Sequence, residues 1–142
     1  MKKTILIFID WYLPGYLAGG PIRSIYNLVN LLKDDYDITI VTSNRDLNSK
    51  IPYKGMKKFI SYKKVNDVKV VYLSSYNFRD LIKIITSEFD LIYLNSMFSF
   101  KFTLIPLIIK KITSLSSKIV LAPRGMLHKE AINQRRRKKN LY

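Results

Sequence analysis

The chain has 142 residues, 48% hydrophobic and 13% aromatic, a composition that suits one folded domain and does not fit a disordered basic tail. Its 25 Lys and Arg outnumber 10 Asp and Glu, a formal net charge of +15 that belongs on the surface. With no Cys and one His (His128), disulfides, thiolate metal sites, cysteine nucleophiles and His clusters are excluded, and a Ser-His-Asp triad would hang on that single residue.

Lys2 and Lys3 precede an apolar run that stops at Asp10 without a small-residue cleavage site, so residues 4–9 read as a buried strand, not a signal peptide. A long loop, 10–20, then closes on Gly19 and Gly20. From Pro21, which suits a first helical position, Ile22, Ile25, Leu28, Val29 and Leu32 recur at three and four. Strands are predicted at 38–42 and 68–73. Between them lies a lysine-rich stretch, 44–67, with an extra strand near 59–62. Phe78, Leu81, Ile82, Ile85 and Phe89 share one face of a second helix, with Asn77 as N-cap. Residues 91–94 read as a strand. Residues 100–113 read as a third helix that sets Leu104, Ile105, Ile108 and Ile112 against Lys101, Lys110 and Lys111. A last strand spans 119–122, and the polar stretch from Leu127 reads as a weakly amphipathic helix.

The strand runs are continuous rather than alternating, and rich in Ile and Val, the pattern of strands covered on both faces. Alternation with helices predicts an α/β fold: a single domain built on a Rossmann-like, doubly wound parallel sheet with the strand of Leu6 at its centre. Ile5, Leu6, Ile7, Ile40, Val70, Ile92, Leu94, Val120 and Leu121 are the expected buried strand residues. No apolar run approaches the ~20 residues of a membrane span. The expected location is cytoplasmic, with peripheral contact at the inner face of the cell membrane.

In such sheets ligands bind beyond the carboxyl ends of the strands, where the strand order reverses, which selects loops 10–20, 95–99 and 123–128. Glycines before a helix let a phosphate or sugar approach the backbone, and the helix start favours an anion, so Gly19 and Gly20 are phosphate- or sugar-contacting candidates; the alternative is a plain turn. Arg23, in the first helical turn, is a phosphate partner or a solvated arginine. Arg124 can meet phosphate or sugar hydroxyls bidentately. Asp10 either orients a ligand hydroxyl, or acts as a base, or caps its own loop. Trp11, Tyr12 and Tyr16 form a sugar or lipid platform or pack in a domain interface. Asn95, Ser96 and His128 complete the candidates on these loops. The G-x-G-x-x-G pattern is missing, and Thr42-Ser43-Asn44-Arg45 separates the second strand from Asp46, so a dinucleotide enzyme is disfavoured. No metal site is indicated.

The basic run Arg135, Arg136, Arg137, Lys138 and Lys139 and the lysines of 54–64 come without a nucleic-acid recognition motif. An anionic membrane surface, worth ~1 kcal/mol per cation, is the expected partner, and no nucleic acid; the alternative is a solvated face. Phe98, Phe100 and Phe102, beside Lys101, either dip into such a surface or pack in the core.

The run Leu13-Pro14-Gly15-Tyr16 with Ala18-Gly19-Gly20-Pro21-Ile22-Arg23-Ser24 resembles the opening of the N-terminal domain of family-4-like glycosyltransferases of the GT-B fold. Val41-Thr42-Ser43-Asn44-Arg45-Asp46, Tyr93-Leu94-Asn95-Ser96 and Ala122-Pro123-Arg124-Gly125-Met126-Leu127 extend the resemblance over nearly the whole chain. It implies a retaining glycosyltransferase in which residues 1–142 hold a glycan or lipid-linked acceptor and a C-terminal domain binds the nucleotide-sugar donor, with no further cofactor; Gly19, Gly20, Arg23 and Arg124 would then face the donor, and Asp10, Trp11, Tyr16, Asn95, Ser96 and His128 the acceptor. The product would be a cell-surface polysaccharide or glycolipid. In that family the second domain supplies a glutamate pair, whereas Glu88 and Glu130 are the only glutamates here. The catalytic residues are therefore unassigned, and this chain alone is expected to be inactive, a truncated half or one subunit of a split enzyme. Its basic segment, 129–142, would lead toward the donor-binding domain. A reading from another class is a non-catalytic α/β module that holds an anionic membrane or polymer.

Overall fold

β-branched and aromatic side chains dominate the segments that become strands: β1 (Lys3–Phe8), β2 (Tyr36–Ser43), β3 (Ile60–Val65), β4 (Val68–Leu73), β5 (Leu91–Leu94) and β6 (Lys118–Leu121). In the computed structural model, which describes residues 2–56, 60–74 and 78–124, they form one sheet of order β3-β4-β2-β1-β5-β6. Every neighbouring pair is parallel except β3 with β4. That pair is a hairpin turned by Asn66 and Asp67 at φ 51° and 67°, the left-handed conformation that matches the twist of a two-residue connection. From β1 the chain builds outward through β2 and β4, then returns to add β5 and β6 on the other side, so the order reverses between β1 and β5.

The described helices are α1 (Gly20–Leu32), α2 (Phe78–Ile85) and α3 (Ile105–Thr113), the last preceded by a π-helical turn, Phe100–Leu104. Strand alternation divides the apolar runs between two layers. Ile5, Ile7, Ile38, Ile40, Val68 and Val70 pack toward Ile22, Ile25 and Val29 of α1. Leu6, Phe8, Val41, Val71, Ile92 and Leu94 pack on the opposite side with Leu81 and Ile85 of α2 and Phe102 and Ile109. This double coverage is why the runs carry no polar alternation.

Three expectations shift. Val120 and Leu121 are exposed at 43% and 39%, because β6 is an edge strand with β5 as its single neighbour. The extra strand runs on beyond Tyr62, over Ile60–Val65, and Phe59 lies outside the described residues. On the helices, Leu81 and Ile85 are buried but Phe78 and Ile82 are exposed, and Phe102 and Ile109 are buried while Leu104, Ile108 and Ile112 are exposed. The sheet takes up a narrower stripe than the apolar residues offer. Asn77, His128 and the basic run Arg135 to Lys139 lie outside the described residues. No helix among the described residues is long and apolar enough to cross a membrane.

Leu6 is fully buried in the central strand and Ile112 is 76% exposed. Leu6→Ala should therefore cost about 3 kcal/mol and Ile112→Ala less than about 0.5 kcal/mol, read from urea denaturation midpoints at constant m-value.

Candidate functional site

The loop after β1 crosses the carboxyl edge of the sheet, and its backbone is tied down by side chains from elsewhere. The Asp46 carboxylate, in the loop after β2, accepts the N–H groups of Tyr16 at 2.9 Å, Leu17 at 3.2 Å and Leu47 at 2.8 Å. Burial alone would raise its pKa, but the three amides outweigh burial and hold it below the ordinary 3.8. The Tyr72 hydroxyl donates to the Leu13 carbonyl at 2.5 Å and the Tyr53 hydroxyl to the Tyr12 carbonyl at 3.5 Å. Burial pushes the Tyr53 phenol up to about 12 and raises Tyr72 as well, so both remain donors. At Gly15 a Cβ would collide with the Tyr53 hydroxyl oxygen and stand 2.9 Å from Asp46 Oδ1, so any larger residue must displace the groups that anchor the loop.

The paired glycines do different work. Gly19 sits at φ 62°, ψ −115°, a conformation reserved for glycine, and serves as the N-cap position of α1. Gly20 has an ordinary φ and nothing within 4 Å of an added Cβ. The first turn of α1 carries no side-chain cap and no acidic residue, so the positive end of its dipole faces the loop uncompensated.

Two hollows meet at this segment. One, of about 660 Å³, is lined by Leu13, Gly15, Tyr16, Gly19, Gly20, Ile22, Arg23 and Tyr26. The other, of about 190 Å³, brings together Asp10, Trp11, Asn95, Ser96 and Arg124, with Ala18 and Pro21 on its wall. Five residues singled out from three separate loops thus share the smaller hollow, beside the reversal between β1 and β5. Tyr16, Gly19, Gly20 and Arg23 belong to the larger one. Tyr12 lines neither; it is fully buried under α1.

Arg124, at φ 50°, is oriented entirely by neutral groups. Its Nε donates to Asn95 Oδ1 at 2.7 Å, one terminal nitrogen to the Ser24 hydroxyl at 2.5 Å and the other to the Tyr93 hydroxyl at 3.1 Å. These bonds use three of the five guanidinium N–H donors, and no carboxylate among the described residues pairs with it. The charge is fixed in place but not neutralised. Asp10 is the counterpart in the same hollow. Its carboxylate accepts the Ser99 hydroxyl at 2.5 Å, and Ser99 Oγ in turn accepts the Phe102 N–H at 3.0 Å. Burial raises the Asp10 pKa above 3.8 even though the Ser99 and Ser96 hydroxyls pull the other way.

The sequence reading did not single out Tyr53 and Tyr72, and it gave no structural role to Gly15, Ser24, Asp46, Tyr93 or Ser99, which entered it only as members of longer runs and loops. The available signal was the length of loop 10–20, which needs an anchor that its own side chains do not provide. Lys101 also stands out at this edge: burial, with Arg45 nearby, pulls its amine down to about 8, and it donates to the Ser74 carbonyl. No protein-family model, curated protein or solved structure matches the chain.

Gly15→Ala should cost about 1–3 kcal/mol by overpacking and Gly19→Ala about 1–3 kcal/mol by backbone strain, while Gly20→Ala stays within about 0.5 kcal/mol in denaturant titration. The two aspartates should give opposite pH signatures in thermal melts. Asp46 has a depressed folded pKa, so it stabilises the fold above 3.8 and that contribution fades as pH falls through the folded value. Asp46→Asn should lower Tm at neutral pH, with the deficit closing in acid. Asp10 has a raised folded pKa, so its ionised form burdens the fold at neutral pH and the burden lifts as the carboxyl protonates. Asp10→Asn should raise Tm at neutral pH, with the gain vanishing in acid.

Proposed function

We propose that this domain is the acceptor-side half of a retaining glycosyltransferase of the GT-B class, a Rossmann-like doubly wound sheet that works against a separate donor-binding domain. The observation that carries the reading is the convergence at one sheet edge of an uncapped helix start behind Gly19 and Gly20, the unneutralised Arg124 and the half-buried Asp10. A nucleotide-sugar donor leaves as a diphosphate. The open amides of α1 and the fixed guanidinium offer preorganised positive charge for that leaving group. Asp10, with a raised pKa and hydroxyl neighbours, suits the orientation and deprotonation of an acceptor hydroxyl. The larger hollow, with Tyr16, Tyr26 and Leu13 on its walls, offers apolar and aromatic surface to a sugar ring or the lipid end of an acceptor.

In this reading the acceptor is a glycan or lipid-linked glycan, the donor sugar is shared with the second domain, and the enzyme works at the cytoplasmic face of a membrane. The glutamate pair that such transfer uses would come from the second domain, and nothing beyond the nucleotide sugar is required as cofactor.

The 142-residue chain alone should transfer no sugar, and joining it to a matching donor-binding domain should restore turnover. In the joined enzyme Gly20→Ala should lose at least ~10-fold in kcat/KM, about 1.4 kcal/mol of transition-state stabilisation, with Tm unmoved. Arg124→Ala should lose at least as much, and Arg124→Lys, which keeps the charge, should recover part of the loss. Undiminished turnover in folded Gly20→Ala, or transfer by the isolated chain, would contradict the proposal.

A further inference from the structure

α2 and α3 are apolar on two sides. Their inner residues, Leu81, Ile85, Phe102 and Ile109, close the core against the sheet. Their outer sides expose Phe78 and Ile82 on α2, then Phe100, Leu104, Ile108 and Ile112, which recur every four residues through the π-helical turn and α3. Exposure rises to 64% at Phe100 and 76% at Ile112. A helix whose outer side faces only water has no reason to carry such a stripe. Solitary exposed apolar residues, such as Leu31 on α1, are ordinary; a run of this kind marks a partner.

The charges around the stripe select the partner. The π-helical turn and α3 together carry Lys101, Lys110 and Lys111 and no acidic residue, and α2 sets Arg79 and Lys83 against one acid, Asp80. Lys101 and Lys110 turn their amines back onto the Ser74 and Leu115 carbonyls. Lys111, with Arg79 and Lys83 on α2, is exposed and pairs with no carboxylate among the described residues. We infer that the outer face of α2 and α3 is a docking surface for an anionic lipid bilayer, with the apolar stripe lying at the acyl boundary and the flanking cations among the headgroups. A protein partner of matching shape would need an acidic rim around an apolar groove. A bilayer offers apolar interior and negative surface together, and long basic side chains can lay their stems on the apolar layer while their heads reach the phosphates. The net charge of +15 adds long-range attraction in the same direction. The inference rests on the proposed work at a membrane and gives it a surface, and because vesicle binding is measured without any reaction it stands or falls separately from sugar transfer.

The test is co-sedimentation of the full 142-residue chain with phosphatidylcholine vesicles that contain or lack phosphatidylglycerol, at low and at physiological salt. The chain should sediment with the anionic vesicles, more weakly as salt rises. The double variant Ile108→Ser with Ile112→Ser should lose at least about tenfold in partitioning with an unchanged circular dichroism spectrum. Lys83→Gln with Lys111→Gln should bind less and with a shallower salt dependence, and Leu31→Ser should match the parent. The inference is overturned if the parent chain ignores anionic vesicles, or if the isoleucine double variant binds them as the parent does. It is equally overturned if that variant abolishes a concentration-dependent dimer while vesicle binding persists, since the stripe would then face a second copy.

Discussion

The carboxylate of Asp46 reaches out of the β2 loop to hold the backbone N–H groups of Tyr16 and Leu17, and the carboxyl edge of the sheet takes its form from that grip. A loop as long as the one after β1 would otherwise sample many conformations, at a cost of about 1–2 kcal/mol of backbone entropy for each residue later fixed on ligand binding. The phenols of Tyr53 and Tyr72 hold the carbonyl side of the same loop, and Gly15 gives up its side chain so that the two sheets of contact can close. With residues 12–17 anchored, Gly19 can take its strained φ and deliver α1 with its first turn open to the hollow.

The electrostatics of the edge are divided between satisfied and strained groups. Asp46 is stabilised as an anion by backbone dipoles and acts as structure. Asp10 is an anion that the fold tolerates rather than favours, and Arg124 is a cation held by amide and hydroxyl groups without a countercharge. Such imbalance is what a ligand can relieve, and perturbed titratable groups in a hollow mark candidate functional sites for this reason. Under the proposed transfer reading, Arg124 meets the departing diphosphate and Asp10 the incoming hydroxyl.

Much of the fold was legible because each strand reports its own burial: an Ile- and Val-rich run without polar alternation needs cover on both faces. The position of a strand within the sheet is a tertiary fact, which is why Val120 and Leu121 looked like core and lie at an edge. Helical periodicity likewise showed that α3 has apolar residues every three or four positions but not which of two apolar sides meets the sheet; Ile109 does, and Ile108 and Ile112 do not. At the site, Asp10, Asn95, Ser96 and Arg124 could be read from topology, since parallel strands bring their following loops to one edge. Asp46 could not. The sequence invited its comparison with a ribose-binding acid, whereas two of its three partners are amides 30 and 29 residues away in the chain. The different duties of Gly19 and Gly20 were also invisible, because φ is set by how the anchored loop meets the helix.

Chemical-shift mapping on isotope-labelled chain tests the central claim, that this edge is a built anion and acceptor site, with inorganic pyrophosphate as the probe of the leaving group. The account predicts saturable shifts at the Gly20 and Ile22 amides and at the Arg124 Nε–H, lost in Arg124→Gln. Shifts confined to the lysines of the β3–β4 hairpin, with Gly20, Ile22 and Arg124 unmoved, would contradict it.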